Sequence, residues 1–501
     1  MPVNLGDMGV NPALPKYQPM LLNLQGNILK SHGRDHVQLL LLQFIGGAAA
    51  VRGWMKRWAE AGGVTSASAQ LDDTLRQKQN RSKGPGAPFG NFFLSAAGYQ
   101  ALEVPLEDLR RAFPEHLGRV RAPFTAGMEA AGPALGDLPA VAWDDAYRGQ
   151  KVHAMALLAD DDGARLEQRS TAVEQELAGI ARVLAREVGT VQRNGNRTTE
   201  PFGFADGRSQ PLFFGQDLAD EAANGGIAPW NPAAPLGLAL LEDPFAPPQS
   251  DCYGSFLVLR KLEQDVKGFG DRVTELAQQA TGGDQALAGA LVVGRFADGT
   301  PVLLSGTPQG SSGNNFDYGG DPEGMRCPFQ AHIRKTNPRG GAVAAGIATD
   351  LADEKTHRIV RRGVPYGEGG TSGRSSIQGT GLLFMCFQSD IANQFGFLQK
   401  MWANDPDFSR TGTGVDPTIG RAPAGSNVAA QPWPAGWGGK QTVRFDFRDF
   451  VTLRGGEFFF APSLAFLRAG GGRPEVRTPQ PAGAAFISVP TGGARLRGSP
   501  G

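Results

Sequence analysis

The chain has 501 residues, enough to bury a large core, and its 49 basic residues are matched by 49 acidic ones. That balance excludes the broad basic footprint of a nucleic-acid or anionic-membrane binder, and no run of about 18 apolar residues offers a membrane-spanning helix. Cys252, Cys327 and Cys386 lie far apart and are odd in number, so no disulfide framework or CxxC pair can be drawn.

In chain order, the N-terminus shows no basic segment followed by an apolar one, so a cytoplasmic location is expected, with secretion by a non-standard route as the alternative. The spare, separated cysteines fit a reducing compartment. Four apolar runs then read as strands, each followed by a helical stripe. HVQLLLLQF (His36 to Phe44) precedes Val51, Trp54 and Trp58; VHAMALLA (Val152 to Ala159) precedes Leu166, Val173, Leu177 and Ile180. SFLVLRKL (Ser255 to Leu262) precedes Val266, Phe269, Val273 and Leu276. GLLFMCF (Gly381 to Phe387) precedes Ile391, Phe395, Leu398 and Trp402, with Asp390 as the N-cap.

Two strand-helix units therefore lie in each half. A ferredoxin-like β-α-β-β-α-β fold uses two such units per copy. The expected architecture is α+β, with two ferredoxin-like domains, each an antiparallel sheet with helices on one face; a single irregular α+β domain is the alternative. The expected boundaries are 20–205 for the first domain, 206–250 for a connecting loop region and 251–480 for the second. The stretches 210–248, 306–330 and 408–439 are rich in Gly and Pro, and loops of that length in a compact domain are usually functional or disordered. The tail ARLRGSPG is flexible in composition.

Chemistry-bearing residues are few. Six histidines occur, with no HExxH, no GxSxG elbow and no Walker loop. His332 stands among Arg334, Lys335 and Arg339 in CPFQAHIRKTNPRG; alone, a single histidine is more often structural than a ligand. RIVRRGVPYG carries an arginine pair that would otherwise read as a solvated face. Asp206 is an isolated acid in EPFGFADGRSQP, either a turn residue or a carboxylate held for chemistry.

Taken together, GFADGRSQP, AHIRKTNPR and RIVRRGVPYG resemble the haem motifs of the dye-decolorizing (DyP-type) peroxidases. NLQGNILKSHGRDH, GLLFMCFQSDIANQFGFLQKMWAND and GGEFFFAPS extend the resemblance over about residues 20–465. It implies two ferredoxin-like domains and a non-covalent haem b in the C-terminal half, which agrees with the missing CxxCH. It implies a peroxidase that reduces hydrogen peroxide and oxidises bulky phenols or dyes in one-electron steps through a ferryl intermediate. A haem-handling protein without turnover is the rival reading. His332 would be the proximal iron ligand and Asp416, in GVDPTIG, the acid hydrogen-bonded to it. Asp206 would be the distal carboxylate. Arg361, four residues before Pro365, would be the distal arginine in preference to Arg362. Leu382 and Phe384 would form an apolar roof, Arg208 and Arg339 would contact haem propionates, and Trp402 and Tyr366 would be candidate electron relays, with core packing as the other reading of Trp402. Hydrogen peroxide and aromatic electron donors are the implied partners; nucleic acid and membrane are not.

Overall fold

The computed structural model describes residues 3–79, 85–113, 123–247, 251–310, 313–367, 379–422 and 429–471. The C-terminal tail reading and the end of the 251–480 segment lie outside them. Ten strands form the main sheet: β1 (His36–Phe44), β2 (Phe89–Leu94), β3 (Ala154–Asp160), β4 (Ala181–Thr190), β5 (Leu241–Glu242), β6 (Tyr253–Gln264), β7 (Val360–Arg361), β8 (Val364–Tyr366), β9 (Gly381–Gln388) and β10 (Val451–Ala461).

The first four strands run β4-β1-β3-β2 across the sheet, all antiparallel. In the second half the same permutation returns as β10-β6-β9-β8, again antiparallel. Each half thus has the strand order of a ferredoxin-like unit. The two sheets are not separate. β10 meets β2 at Phe460↔Leu94, and β4 meets β8 at Gly189↔Tyr366. With β6 paired to both β9 and β10, the eight strands close into one ring. Closure removes free sheet edges.

Strand β1 is apolar on both faces because both are covered. Leu39, Leu40, Leu41 and Leu42 of β1 all have no solvent exposure. Helix α1 (Ala48–Glu60) buries Val51, Trp54, Met55 and Trp58 at helical spacing. Helix α2 (Gly163–Glu176) starts on Asp162, whose side chain accepts from Ala164 N and Arg165 N. It buries Leu166 and Val173 but ends before Ile180. Gly179, at φ 75°, turns the chain out of the helix, so Ile180 leads into β4 instead of extending the stripe.

The 206–250 region is more ordered than its composition suggests. It contains the nine-residue helix α3 (Gly215–Ala223) and β5. In the second half, helix α4 (Val266–Ala280) begins at Asp265, whose side chain accepts from Gly268 N, and buries Phe269, Val273 and Leu276. With helix α5 (Gln285–Val293), Trp433 and Phe447 these residues form a second apolar core, distinct from the one around the ring.

The fourth stripe is helical but wound differently from the expected α-helix. Asp390 Oδ1 accepts from Ala392 N and Asn393 N, as a capping residue does. The following turns are π-helical over Ala392–Gly396 and Leu398–Ala403, with Gly396 N donating to Ile391 O and Asn404 N to Gln399 O. Such widened turns concentrate at functional sites. Ile391, Phe395, Leu398 and Trp402 are all buried.

No helix among the described residues is long and apolar enough to cross a membrane.

The seam between β4 and β8 depends on the absence of a side chain. A Cβ on Gly189 would lie 2.5 Å from a Val364 methyl and 3.2 Å from Pro365 O. Gly189→Val is expected to destabilise the fold by roughly 1–3 kcal/mol, read as a lowered urea midpoint. An unchanged midpoint would mean that the seam does not contribute to stability.

Candidate active site

A cavity opens on the β6, β9 and β10 face of the second half. Counted out to its open mouth, it holds about 1940 Å³ free of protein atoms. Strand alternation builds the floor. Arg260, Leu262 and Gln264 of β6, Leu382 and Phe384 of β9, and Val451 and Leu453 of β10 all line it. Neighbours out of phase with them, Leu259, Leu383 and Met385, do not line it and are fully buried.

His332 begins a short helix, α6 (His332–Thr336), and reaches the cavity. Its Nδ1 lies 2.8 Å from Asp416 Oδ2. Asp416 is completely buried, and its other oxygen accepts from Thr418 N at 2.7 Å and Ile419 N at 3.0 Å. With Nδ1 committed as donor to a carboxylate, Nε2 is left as the lone-pair nitrogen. The end of the π-helical segment holds the arrangement. Ala403 O accepts from Asp416 N, and the buried Lys335 Nζ donates to Trp402 O and Asp405 O. Burial pushes the Lys335 amine down to about 8, against the pull of Asp416 and Asp405.

Asp206 and Arg361 meet in the same wall. Arg361 Nη1 lies 3.9 Å from Asp206 Oδ1, and both side chains are about one-third exposed, at 35% and 32%. The contact is loose enough to leave both groups usable. Gln210 grips the Arg361 backbone at both ends, accepting from its N and donating to its O. Arg361 Nη2 also donates to Arg208 O. Arg362 turns away, donating to Asn27 O, Ile28 O and Arg361 O. The structure therefore brings Arg361, and not Arg362, to the cavity.

Arg208 and Arg339 both line the cavity. Arg208 is exposed, whereas Arg339 is buried and donates to Asn314 O, Phe316 O and Ser209 Oγ. Arg339 takes φ 48° and Ser209 φ 63°, left-handed backbone that non-glycine residues seldom adopt outside over-determined sites. Ser209 Oγ also accepts from Asn337, so the segment after Asp206 is tied to the segment after His332.

Sequence reasoning missed Arg295 and Arg358. Both are buried in the cavity wall, and their hydrogen bonds run to carbonyl and amide oxygens. Burial pushes Arg295 down to about 10, with the charges of Arg208 and Arg361 adding to the effect. RFADGTP around Arg295 carries no ligand signature, so only its position exposes it. Glu200 and Gln264, also in the wall, were missed as well.

Trp402 and Tyr366 do not line the cavity, and both are buried. Trp402 stacks on Phe408, with ring centroids 5.3 Å apart, and meets Phe397 and His357 edge-on. Its indole N–H has no hydrogen-bond partner among the described residues, nor has the Tyr366 hydroxyl. Neither ring is presented to solvent.

A haem fits these residues. No group of three or more His, Cys, Asp or Glu side chains is placed to hold a metal ion among the described residues. The apolar stretch of Ile333, Leu382, Phe384, Leu398 and Ile419 suits a flat hydrophobic ring. Arg295, Arg339 and Arg358 are cations hydrogen-bonded to neutral oxygens, and a ligand bearing carboxylates would balance their charge.

Comparison with known proteins places the chain. Residues 245–411 match the model of the C-terminal part of Dyp-type peroxidases. The multifunctional dye peroxidase DyP2 of Amycolatopsis is 37% identical over 487 residues, covering 94% of this chain and 100% of that protein. The crystal structure of an Anabaena DyP-type peroxidase is 41% identical with a TM-score of 0.85, covering 93% of this chain and 99% of that one. A dye-decolorizing peroxidase solved with 2,6-dimethoxyphenol is 27% identical with a TM-score of 0.69, covering 91% and 99%. The chain belongs to the DyP-type peroxidase family. It is an oxidoreductase of a family of haem enzymes built on the ferredoxin-like α+β fold.

Trp402→Phe tests whether that ring is packing. We expect a stability loss of roughly 1–3 kcal/mol by thermal or urea unfolding, with dye turnover retained. Loss of bulky-dye turnover at unchanged stability would identify a relay instead.

Proposed function

We propose that this protein binds haem b non-covalently through His332, reduces hydrogen peroxide and oxidises bulky phenols or dyes. The observation that carries this reading is the shared wall: His332 with its Nδ1 on Asp416, and Asp206 beside Arg361, line one cavity. Haem held there would supply redox-active iron for the reduction of peroxide and the one-electron oxidation of a donor.

The chain's own residues then have separate tasks. Asp416 keeps the proton on Nδ1 and leaves Nε2 of His332 for the metal; a carboxylate partner makes that imidazole more basic. Peroxide must lose a proton from one oxygen and gain it on the other before its O–O bond breaks. Asp206 can accept the first proton and return it to the departing oxygen, directly or through a water. Arg361 carries a permanent charge aimed into the same space and stabilises the negative charge that develops there. Leu382 and Phe384 keep that space apolar. Arg208 and Arg339, with Arg295, supply positive charge for the haem propionates.

Bulky donors are supported by the relatives, one named for dyes and another solved with a dimethoxyphenol. Trp402 and Tyr366 remain candidate relays, but as buried rings they would need a further exposed group to reach a large donor. The rival, haem handling without turnover, predicts bleaching under peroxide rather than repeated oxidation of a donor.

Two variants test the roles. His332→Ala is expected to lose the Soret band of the purified, haem-reconstituted protein; an unaltered band with full activity would remove His332 as ligand. Asp206→Asn is expected to keep haem but slow the spectral change on mixing with peroxide by roughly 10²–10⁴-fold. A stopped-flow rate equal to the parent's would remove Asp206 from the reaction.

A further inference from the structure

Six residues before Asp206, Glu200 lines the same cavity and accepts three hydrogen bonds from its surroundings. Its Oε2 accepts from Phe202 N at 2.9 Å and from Gln264 Nε2 at 2.8 Å, and its Oε1 accepts from Phe204 N at 3.0 Å. The backbone closes the same turn, with Glu200 N donating to Phe204 O and Gly203 N to Glu200 O. Gly203 sits at φ 94°, which glycine adopts without penalty. Beyond the turn, Ala205 N donates to Ala297 O and Asp206 N to Thr198 O. Phe202 stacks on Phe269 of α4 at 4.1 Å, anchoring the outer side of the turn.

Gln264 is the last residue of β6 and is buried. Its amide nitrogen is committed to Glu200, while its Oε1 has no partner among the described residues. The strand that forms the cavity floor thus reaches the Asp206 loop through one carboxylate. Desolvation in the wall pushes the Glu200 carboxyl up to about 7, against its three hydrogen bonds and together with the charge of Asp206. An acid kept in so unfavourable a setting has a structural or functional reason for being there.

We propose that Glu200 is a positioning residue for Asp206: its carboxylate ties the 200–204 turn to β6 and so fixes where Asp206 stands beside Arg361. This rests on Asp206 being the acid that moves the peroxide proton. A glutamine at this place offers one acceptor oxygen and an NH₂ that would face another donor, so the three bonds cannot all survive. The variant is close in size to the parent and removes the charge and the bond pattern, not the bulk.

The experiment uses the haem-loaded enzyme with hydrogen peroxide and a phenolic donor. Glu200→Gln is expected to lower kcat/KM for peroxide about tenfold while kcat/KM for the donor stays within twofold. Hydrogen exchange of the 200–207 backbone should rise. In an Asp206→Asn background, Glu200→Gln should change the peroxide rate less than twofold, since coupled residues are not additive. A parental peroxide rate in Glu200→Gln, or the same tenfold loss in the Asp206→Asn background, overturns the proposal. Asp206→Asn reacting at the parental rate would remove Asp206 and this role together. Asp206→Asn slow with Glu200→Gln unaffected would remove Glu200 alone. Should Glu200→Gln fail to fold, Gln264→Leu carries the test. It is expected to slow the peroxide step several-fold only when Asp206 is present, and a parental rate there overturns the proposal.

Discussion

A carboxylate cut off from solvent must find its donors inside the protein, and Asp416 draws on two parts of the structure to do so. His332 provides a ring N–H, while Thr418 and Ile419 provide backbone N–H groups from the turn that follows. Its own N–H is taken by Ala403 at the end of the π-helical segment. Removing one partner from a buried charge costs several kcal/mol, so the arrangement is all or nothing. The same helix end receives the Lys335 ammonium at Trp402 O and Asp405 O, where free carbonyls favour a cation. His332 is thereby held by one helix end through two different charges. The hydrogen bond from Nδ1 to Asp416 orients the imidazole that lines the cavity.

The opposite requirement shapes Asp206 and Arg361. In the proposed function these two must stay available, and they are only partly buried and 3.9 Å apart. Their placement comes from the backbone around them: Gln210 holds Arg361 by its main chain, and the 198–205 segment holds Asp206 by its own. The tips carry only local contacts, Arg361 Nη2 on Arg208 O and Asp206 Oδ1 accepting from Gly207 N, while the main chain is fixed, and a site can be pre-organised in this way without blocking its substrate. The cations deeper in the wall contribute charge rather than contact chemistry. Arg295, Arg339 and Arg358 donate to neutral oxygens, so an anionic ligand would balance their charge.

The cavity floor is built on β6, which pairs with β9 on one edge and β10 on the other. Arg260, Leu262 and Gln264 project from it into the cavity. The ring of eight strands makes this pairing cooperative, because neither ferredoxin-like sheet can shear without opening a seam at Gly189 or Phe460.

Much of this was legible in the sequence where the signal is local. Apolar runs and three-four spacings located the strands at His36, Val152, Ser255 and Gly381 and the helices after them, because periodicity reports which face is covered. Contiguous motifs named His332, Asp206 and Arg361 and the family they resemble. Other features were decided only by tertiary structure. Arg361 and Arg362 are chemically identical neighbours; Arg361 ends β7 beside the cavity, whereas Arg362, in the connection to β8, donates to the carbonyls of Asn27 and Ile28. The π-helical winding after Asp390, the helix hidden in 215–223 and the seams that join two sheets into one ring follow from contacts between residues far apart in the chain. Arg295 and Gln264 belong to no short motif that names them, and Glu200, at the head of EPFGFADGRSQP, carries no signal of its own there. They matter because folding places them in one wall, and a linear sequence carries no record of which distant residues will share the same desolvated space.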